Sequence, residues 1–353
     1  MSDTHFIVAS GLVKIFQIAG LEVVALQGLD LEVARGEVLA LVGPSGSGKS
    51  TLLNSLGGLD RPSAGRLEVD GQNLLTFSQA ELTTYRREQV GFVWQQTTRN
   101  LLPYLSARDN IELLMTLAGH GGKARRAWSN ELLDAVGMRE HADQKPPQLS
   151  GGQQQRIAIA CALANKPKIL LADEPTGEVD WTTSQRILKL LRDLRERYGL
   201  TIVIVTHDPR VAEQADRVIA IRDGRTSTET IRSADERSAE FDDQPPADGG
   251  DQAASNGHRS AEELVVLDSA GRLQLPGDQR ALAGIGRRAR VELVDGGILI
   301  RPSDDERIEV TEPTAETGAE STYHSIYSAE LPPATQNGSA PAKRRWPFQR
   351  LKK

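Results

Sequence analysis

Five apolar residues, Val38-Leu39-Ala40-Leu41-Val42, run straight into Gly43-Pro44-Ser45-Gly46-Ser47-Gly48-Lys49-Ser50-Thr51, and a helical pattern opens at Leu52. A buried strand, a glycine-rich loop and a helix in immediate succession form the context that a phosphate-binding loop requires. The reason is close approach. Glycines let backbone N–H groups curl around phosphate oxygens, the helix N-terminus adds positive potential, Lys49 supplies a point charge, and Ser50 offers a hydroxyl to Mg²⁺. Two further apolar runs, Ile169-Leu170-Leu171-Ala172 and Thr201-Ile202-Val203-Ile204-Val205, alternate with longer helical patterns between Val13 and Ile221. The expected fold is therefore an α/β domain with a largely parallel sheet.

The first of these runs ends in Asp173-Glu174-Pro175. The end of a buried parallel strand is where an α/β fold presents ligand groups. From there Asp173 can hold Mg²⁺ through water and Glu174 can polarise an attacking water. Two acids at a strand end also suit a solvated turn, so the pair draws its meaning from its surroundings.

Those surroundings include Leu149-Ser150-Gly151-Gly152-Gln153-Gln154-Gln155-Arg156, which, with the preceding motifs, resembles the signature of the ABC ATPase family. The resemblance covers about residues 6–224, and the family's other motifs appear in order: Gln95 after a strand, Asp180 after the acidic pair, and His207 just past the strand ending at Val205. It implies a P-loop NTPase fold with a helical subdomain carrying the signature, ATP as substrate, Mg²⁺ as cofactor and ATP hydrolysis as activity. It further implies that two chains sandwich ATP, the phosphate loop of one facing the signature of the other. Ser150, Gly151, Gly152 and Gln153 would then act in trans, with Asp180 at the same interface. Gln95 would sense Mg²⁺ and the nucleophilic water, and His207 would contact the γ-phosphate. Phe16 matches the aromatic that stacks on adenine, a core phenylalanine being the other reading. The match is imperfect at Glu178-Val179-Asp180-Trp181, where related transporters usually carry an Asn-Leu pair before the aspartate and a small residue after it.

The stretch 95–117 is similar to the lipoprotein-releasing and macrolide-exporting branch, whose permeases have few transmembrane helices and a large external domain. On that resemblance Leu101, Leu102, Pro103 and Tyr104 form part of a groove for the permease, a packed loop being the plainer reading. A separate permease would do the crossing, since no apolar run here approaches the roughly 18 residues a span needs. Met1 to Ser10 carries Asp3 and lacks the basic flank and apolar core of a signal peptide. Cys161 is the single cysteine, which excludes an intrachain disulfide framework and suits a reducing compartment. The expected location is the cytoplasmic face of a membrane, as a peripheral subunit.

Composition divides the chain into an ATPase domain at 1–232, an acidic linker at 233–260, a small module at 261–303 and a polar tail at 304–353. In the module, the run from Leu264 to Pro276, a short helical pattern at Asp278 to Ala283 and a hairpin punctuated by Asp295-Gly296 resemble the AbrB-like swapped-hairpin domain. The resemblance implies an intertwined dimer with a second copy of the chain, and a module this short can scarcely bury a stable core alone. DNA binding through Arg272, Arg287, Arg288 and Arg290 ranks second, an ordinary solvated basic face being an equal reading because the acidic linker nearby offsets those charges. In the tail, Lys343, Arg344, Arg345, Arg350, Lys352 and Lys353 flank Trp346 and Phe348, a mixture that serves either an anionic membrane surface or solubility. Two functions compete: an ABC transporter ATPase, and a soluble ABC ATPase acting on nucleic acid through its C-terminal module. A single ATPase domain without a coiled-coil insertion favours the first.

Overall fold

The structure is a computed structural model describing residues 5–231, 262–268, 271–286, 289–294 and 297–302. The expected linker at 233–260 and tail at 304–353, with its basic aromatic end, lie outside the described residues. A long antiparallel hairpin, β1 (His5–Ile18) and β2 (Leu21–Ala34), joins β4 (Ala64–Val69) and β5 (Gln72–Asn73) in a four-stranded sheet ordered β2-β1-β4-β5. The larger sheet has the order β11-β10-β9-β3-β8-β7-β6, built from β3 (Val38–Val42), β6 (Val90–Val93), β7 (Ile169–Asp173), β8 (Thr201–Val205), β9 (Arg217–Arg222), β10 (Arg225–Ile231) and β11 (Glu262–Val265). From β9 to β6 all neighbours are parallel, whereas β10 and β11 add on antiparallel at one edge. The three apolar runs seen in the sequence are thus β3, β7 and β8, side by side at the centre.

The period of two along these strands separates two cores. Leu39, Leu41, Leu171, Val203 and Val205 face the four-stranded sheet and α1 (Lys49–Leu56), where Leu52, Leu53 and Leu56 are fully buried. Each such leucine contributes about 1.5–3 kcal/mol by leaving water. Ala40, Leu170, Ala172, Ile202 and Ile204 belong to the other core, which is closed by helices. Those helices are α4 (Ala107–Leu117), α5 (Gly122–Ala135), α6 (Gly151–Ala162) and α7 (Trp181–Tyr198), which supply Ile111, Leu132, Ile157 and Leu191. Short helices α2 (Gln79–Glu88), α3 (Thr97–Asn100) and α8 (Pro209–Ala212) complete this part.

Local chemistry sets the helix ends. Ser150 begins α6 with a capping box, its hydroxyl accepting from the Gln153 amide while the Gln153 side chain accepts from the Ser150 amide at 2.8 Å. The Asp180 carboxylate caps α7 and accepts from the Thr183 amide at 3.0 Å, and Gly199 ends that helix at φ +65. Cys161 lies buried in α6, and burial pushes its thiol up to about 12, which leaves it inert.

The next described residues belong to the larger sheet. Ile231 of β10 stands opposite Glu262 of β11 and Thr228 opposite Val265, and the Val266 amide donates to Ser227 at 3.0 Å. The strand assigned from sequence to a small module therefore extends the larger sheet. Asp268 accepts from the Arg272 guanidinium at 2.7 Å and stands 3.7 Å from Arg225. Beyond α9 (Gly277–Leu282), the hairpin expected at Asp295-Gly296 is present as β12 (Ala289–Val294) paired with β13 (Gly297–Pro302). It carries Val291, Leu293 and Ile298 exposed on its surface.

At Gly91 in β6, the C-terminal turn of α6 rests directly on the strand, and an added Cβ would stand 2.5 Å from the Ala162 carbonyl oxygen. Backbone cannot step aside as a side chain can. Gly91→Ala is expected to destabilise the protein by about 1–3 kcal/mol through forced separation of α6 from the sheet, read as a lower denaturation midpoint with an unchanged denaturant slope.

Candidate functional site

Strands β3, β8, β7 and β6 are consecutive and parallel, so the loops leaving their carboxyl ends lie in a row. β3 leads into the glycine-rich loop, β7 ends at Asp173-Glu174, β8 precedes His207 and β6 precedes Gln95. These loops enclose a cavity of about 350 Å³ whose wall includes Gly46, Lys49, Ser50, Gln95, Asp173 and Glu174.

The loop conformation depends on glycine at its two ends. Gly43 has φ +143, and a Cβ there would collide with the Ile221 carbonyl. Gly48 has φ +103 as the residue preceding α1, and a Cβ would stand 2.6 Å from the Ala25 carbonyl. Lys49 folds its ammonium under the loop, donating to the carbonyls of Gly43 at 2.9 Å and Pro44 at 2.8 Å. Burial pulls this ammonium below the ordinary lysine range, opposed by the charges of Glu174 and Asp173. Burial, and then the neighbouring Glu174, push Asp173 above the ordinary carboxylate range, opposed by Lys49 and by a hydrogen bond from Ser50. A cation entering here would meet two hydroxyl or carboxylate oxygens, from Ser50 and Asp173, beside the loop that faces phosphate.

Glu174 is held through both its backbone and its side chain. Its φ of +48 is rare for a residue with a Cβ, and its amide is fixed by donation to the Val205 carbonyl at 2.9 Å. One carboxylate oxygen lies 2.8 Å from His207 Nδ1, and the other accepts from Gln95 Nε2 at 3.4 Å. The three residues matched one by one in the sequence thus converge, with Glu174 held between a histidine and an amide at the mouth of the cavity. A carboxylate so aimed can accept a proton from water, and a neighbouring amide and imidazole can orient that water and the group it attacks.

Other expected site residues stand apart. Ser150, Gly151, Gly152 and Gln153 begin α6 and are not in the cavity wall, and Asp180 is engaged as a helix cap. Phe16, partly buried on β1, carries the Lys14 ammonium 4.7 Å from its ring centre and is likewise absent from the wall. Leu101, expected in a permease groove, is instead a core residue at 4% exposure. The cause is local: Asn110 holds this turn by accepting from the Leu102 amide at 2.7 Å and donating to the Leu102 carbonyl at 3.2 Å, which turns Leu101 inward.

Sequence reasoning missed the brace beneath the loop. The Gly224 amide donates to the Ser47 carbonyl at 2.9 Å, and the Gly224 carbonyl accepts from the Gln27 amide at 2.9 Å. The signal was Asp223-Gly224, a hairpin dipeptide.

A family model described as ABC transporter matches residues 26–177. An uncharacterized ABC transporter ATP-binding protein of Thermotoga maritima is 46% identical over 212 residues, which are 60% of this chain and 89% of that protein. The chain belongs to the ABC transporter ATP-binding family. The macrolide export ATP-binding/permease protein MacB of Syntrophobacter fumaroxidans is 45% identical over 213 residues, covering 60% of this chain but only 30% of that protein. This ABC ATPase therefore spans about a third of the length of the MacB proteins it matches. Among solved structures, the ATP-binding cassette MJ0796, a dimer in a post-hydrolysis state bound to ADP and Pi, superposes with a TM-score of 0.58 at 41% identity, over 63% of this chain and 97% of that one. The chain is accordingly an ATP hydrolase of the ABC type.

Replacing Lys49 with Ala removes the ammonium beneath the loop and leaves both cores intact. ATP hydrolysis, followed as phosphate release, is expected to fall on the order of 100-fold or more, with an unaltered unfolding midpoint.

Proposed function

We propose that this chain is the motor of an ABC transporter in which two copies close on two MgATP and drive a separately encoded permease. The observation that carries the proposal is the convergence of Gln95, Glu174 and His207 on the phosphate-loop cavity, with the signature residues outside it. In this reading the loop amides from Gly43 to Thr51 and the Lys49 ammonium hold the phosphates. Ser50, Asp173 and Gln95 supply oxygen donors for Mg²⁺, a hard cation that is bound through one or two carboxylates together with substrate phosphates. Bound there, Mg²⁺ would neutralise charge developing on the phosphates. Glu174 takes the proton of the attacking water, Gln95 orients that water, and His207 contacts the γ-phosphate. The work is positioning and electrostatics rather than covalent chemistry.

The exposed Ser150 at the N-terminus of α6 supports the dimeric part: its amide-lined helix end is free to face the phosphates of a second copy, with Gly151, Gly152, Gln153 and Asp180 beside it. Phe16 takes the adenine in this reading. Dimerisation would be reinforced by the C-terminal AbrB-like module. Leu102 and Tyr104, with Leu117 at 70% exposure, form apolar surface on the helical side, which supports docking of a permease of the few-helix type. Among the described residues no helix is long and apolar enough to cross a membrane. Docked on its permease, the assembly would sit at the cytoplasmic face.

Glu174→Gln keeps the shape of the side chain and removes the proton acceptor. It is expected to bind ATP normally, to lose turnover by about 100-fold or more, equivalent to about 2.7 kcal/mol of barrier, and to accumulate as an ATP-bound dimer in light scattering. Wild-type turnover in this variant would remove Glu174 from the reaction. Leu102→Asp puts a charge on the proposed docking surface and is expected to preserve ATPase activity of the isolated subunit while abolishing its stimulation by the co-expressed permease; intact stimulation would refute the groove.

A further inference from the structure

The segment that departs from the family's usual pattern, Glu178-Val179-Asp180-Trp181, ends on a large aromatic residue whose surroundings explain its size. Trp181 opens α7, partly buried against the helical core, and the Arg210 guanidinium lies 4.3 Å from its ring centre. Arg210 also makes a two-pronged pair with Asp208, its Nε and Nη2 standing 3.1 and 2.8 Å from the two carboxylate oxygens. That pair draws Asp208 below the ordinary carboxylate range. It spans only two residues, so by itself it stiffens the loop without tying it to anything else.

The stack on Trp181 makes that tie. β7 and β8 are neighbours, with Asp173 opposite Val205, and the chains leaving them run side by side. One carries Glu174 and, after the turn, Trp181; the other carries His207 and then Arg210. The two are bridged at the near end by the 2.8 Å contact of His207 with Glu174, and at the far end by Arg210 on Trp181. A cavity of about 150 Å³, bordered by Val179 and Thr206, lies between the bridges. His207 needs the second bridge, because its side chain is 71% exposed and the core takes hold of this segment only before it, at Thr206, and after it, at Val211. A small residue at 181 would present no ring face to the guanidinium.

We propose that Trp181 and Arg210 are positioning residues for ATP hydrolysis: their stack clasps the His207 loop to the start of α7 and so holds His207 on Glu174. The inference rests on the reading that Glu174 and His207 serve hydrolysis.

The test uses the full chain, with steady-state phosphate release, equilibrium ATP binding and thermal unfolding measured on each variant, and His207→Ala as the benchmark. Trp181→Ala and Arg210→Ala are each expected to lower kcat by about three- to tenfold, the range that loss of one cation–π contact commands. ATP affinity and KM should stay at wild-type values in both, and the unfolding midpoint in Arg210→Ala, whereas Trp181→Ala also gives up packing against the core and is compared at a temperature where it is fully folded. Trp181→Phe keeps a ring face and should recover most of the rate. Arg210→Lys keeps the charge but loses the planar fork, and should not recover it. The double alanine variant should be no slower than the worse single one, because both remove the same clasp. Unchanged kcat in Arg210→Ala, a surface substitution that leaves folding intact, would overturn the proposal, as would recovery by Arg210→Lys or additive losses in the double variant. If His207→Ala itself turns over at the wild-type rate, the underlying assignment of His207 fails and takes the clasp with it; loss in His207→Ala alongside full activity in both clasp variants defeats the clasp alone.

Discussion

Parallel pairing of β3, β8 and β7 underlies everything that the site does. It brings three carboxyl ends to one edge, and two backbone bonds carry the register past the strands, from the Glu174 amide to Val205 and from the Thr206 amide to Leu41. Slipping β7 by one residue would exchange the faces of Asp173 and Glu174. What opposes the slip is apolar: Leu171 faces one core, while Leu170 and Ala172 face the other, so each side chain would have to move through the sheet. The cores hold the register, and the register holds the chemistry.

Electrostatics follows from this placement. Lys49, Asp173 and Glu174 lie close together in a partly enclosed cavity, where each charge is an important part of the others' surroundings. Burial works against the ionised form of Lys49 and of Asp173, and their attraction offsets part of that cost. Such a cluster favours a ligand bringing both negative phosphate for the lysine and a cation for the carboxylate. ATP with a divalent metal supplies both.

How far the sequence could be read depended on whether a feature is contiguous in the chain. The glycine-rich loop was legible because strand, loop and helix follow one another from Val38 to Leu56. Glu174 was legible as a strand-end acid, but its left-handed backbone and its grip by Gln95 and His207 are tertiary facts. Those two residues were reached only through resemblance, since a lone glutamine and a lone histidine carry little pattern. Leu101 was misplaced because apolar character at a loop suits either a groove or a core, and the deciding contact, on the adjacent Leu102, comes from Asn110, nine residues after Leu101. The brace from Gly224 and the stack of Arg210 on Trp181 join segments whose relation appears only in the folded chain. Strand β11 was expected, but not its place: nothing in Leu264-Val265 specifies that β10 is its neighbour.

The pairing of β10 with β11 has a consequence for engineering. Ile231 and Glu262 face one another across the ladder, so the chain leaves the sheet and re-enters it at the same point, about 30 residues later. The entropy of closing such an excursion grows slowly with length, at about 0.6 kcal/mol for each doubling. A fluorescent protein or an affinity handle whose own termini lie close together, spliced into this interval, would leave both ends anchored to the ATPase. It would report from beside the edge strands of the larger sheet, where both its attachment points lie.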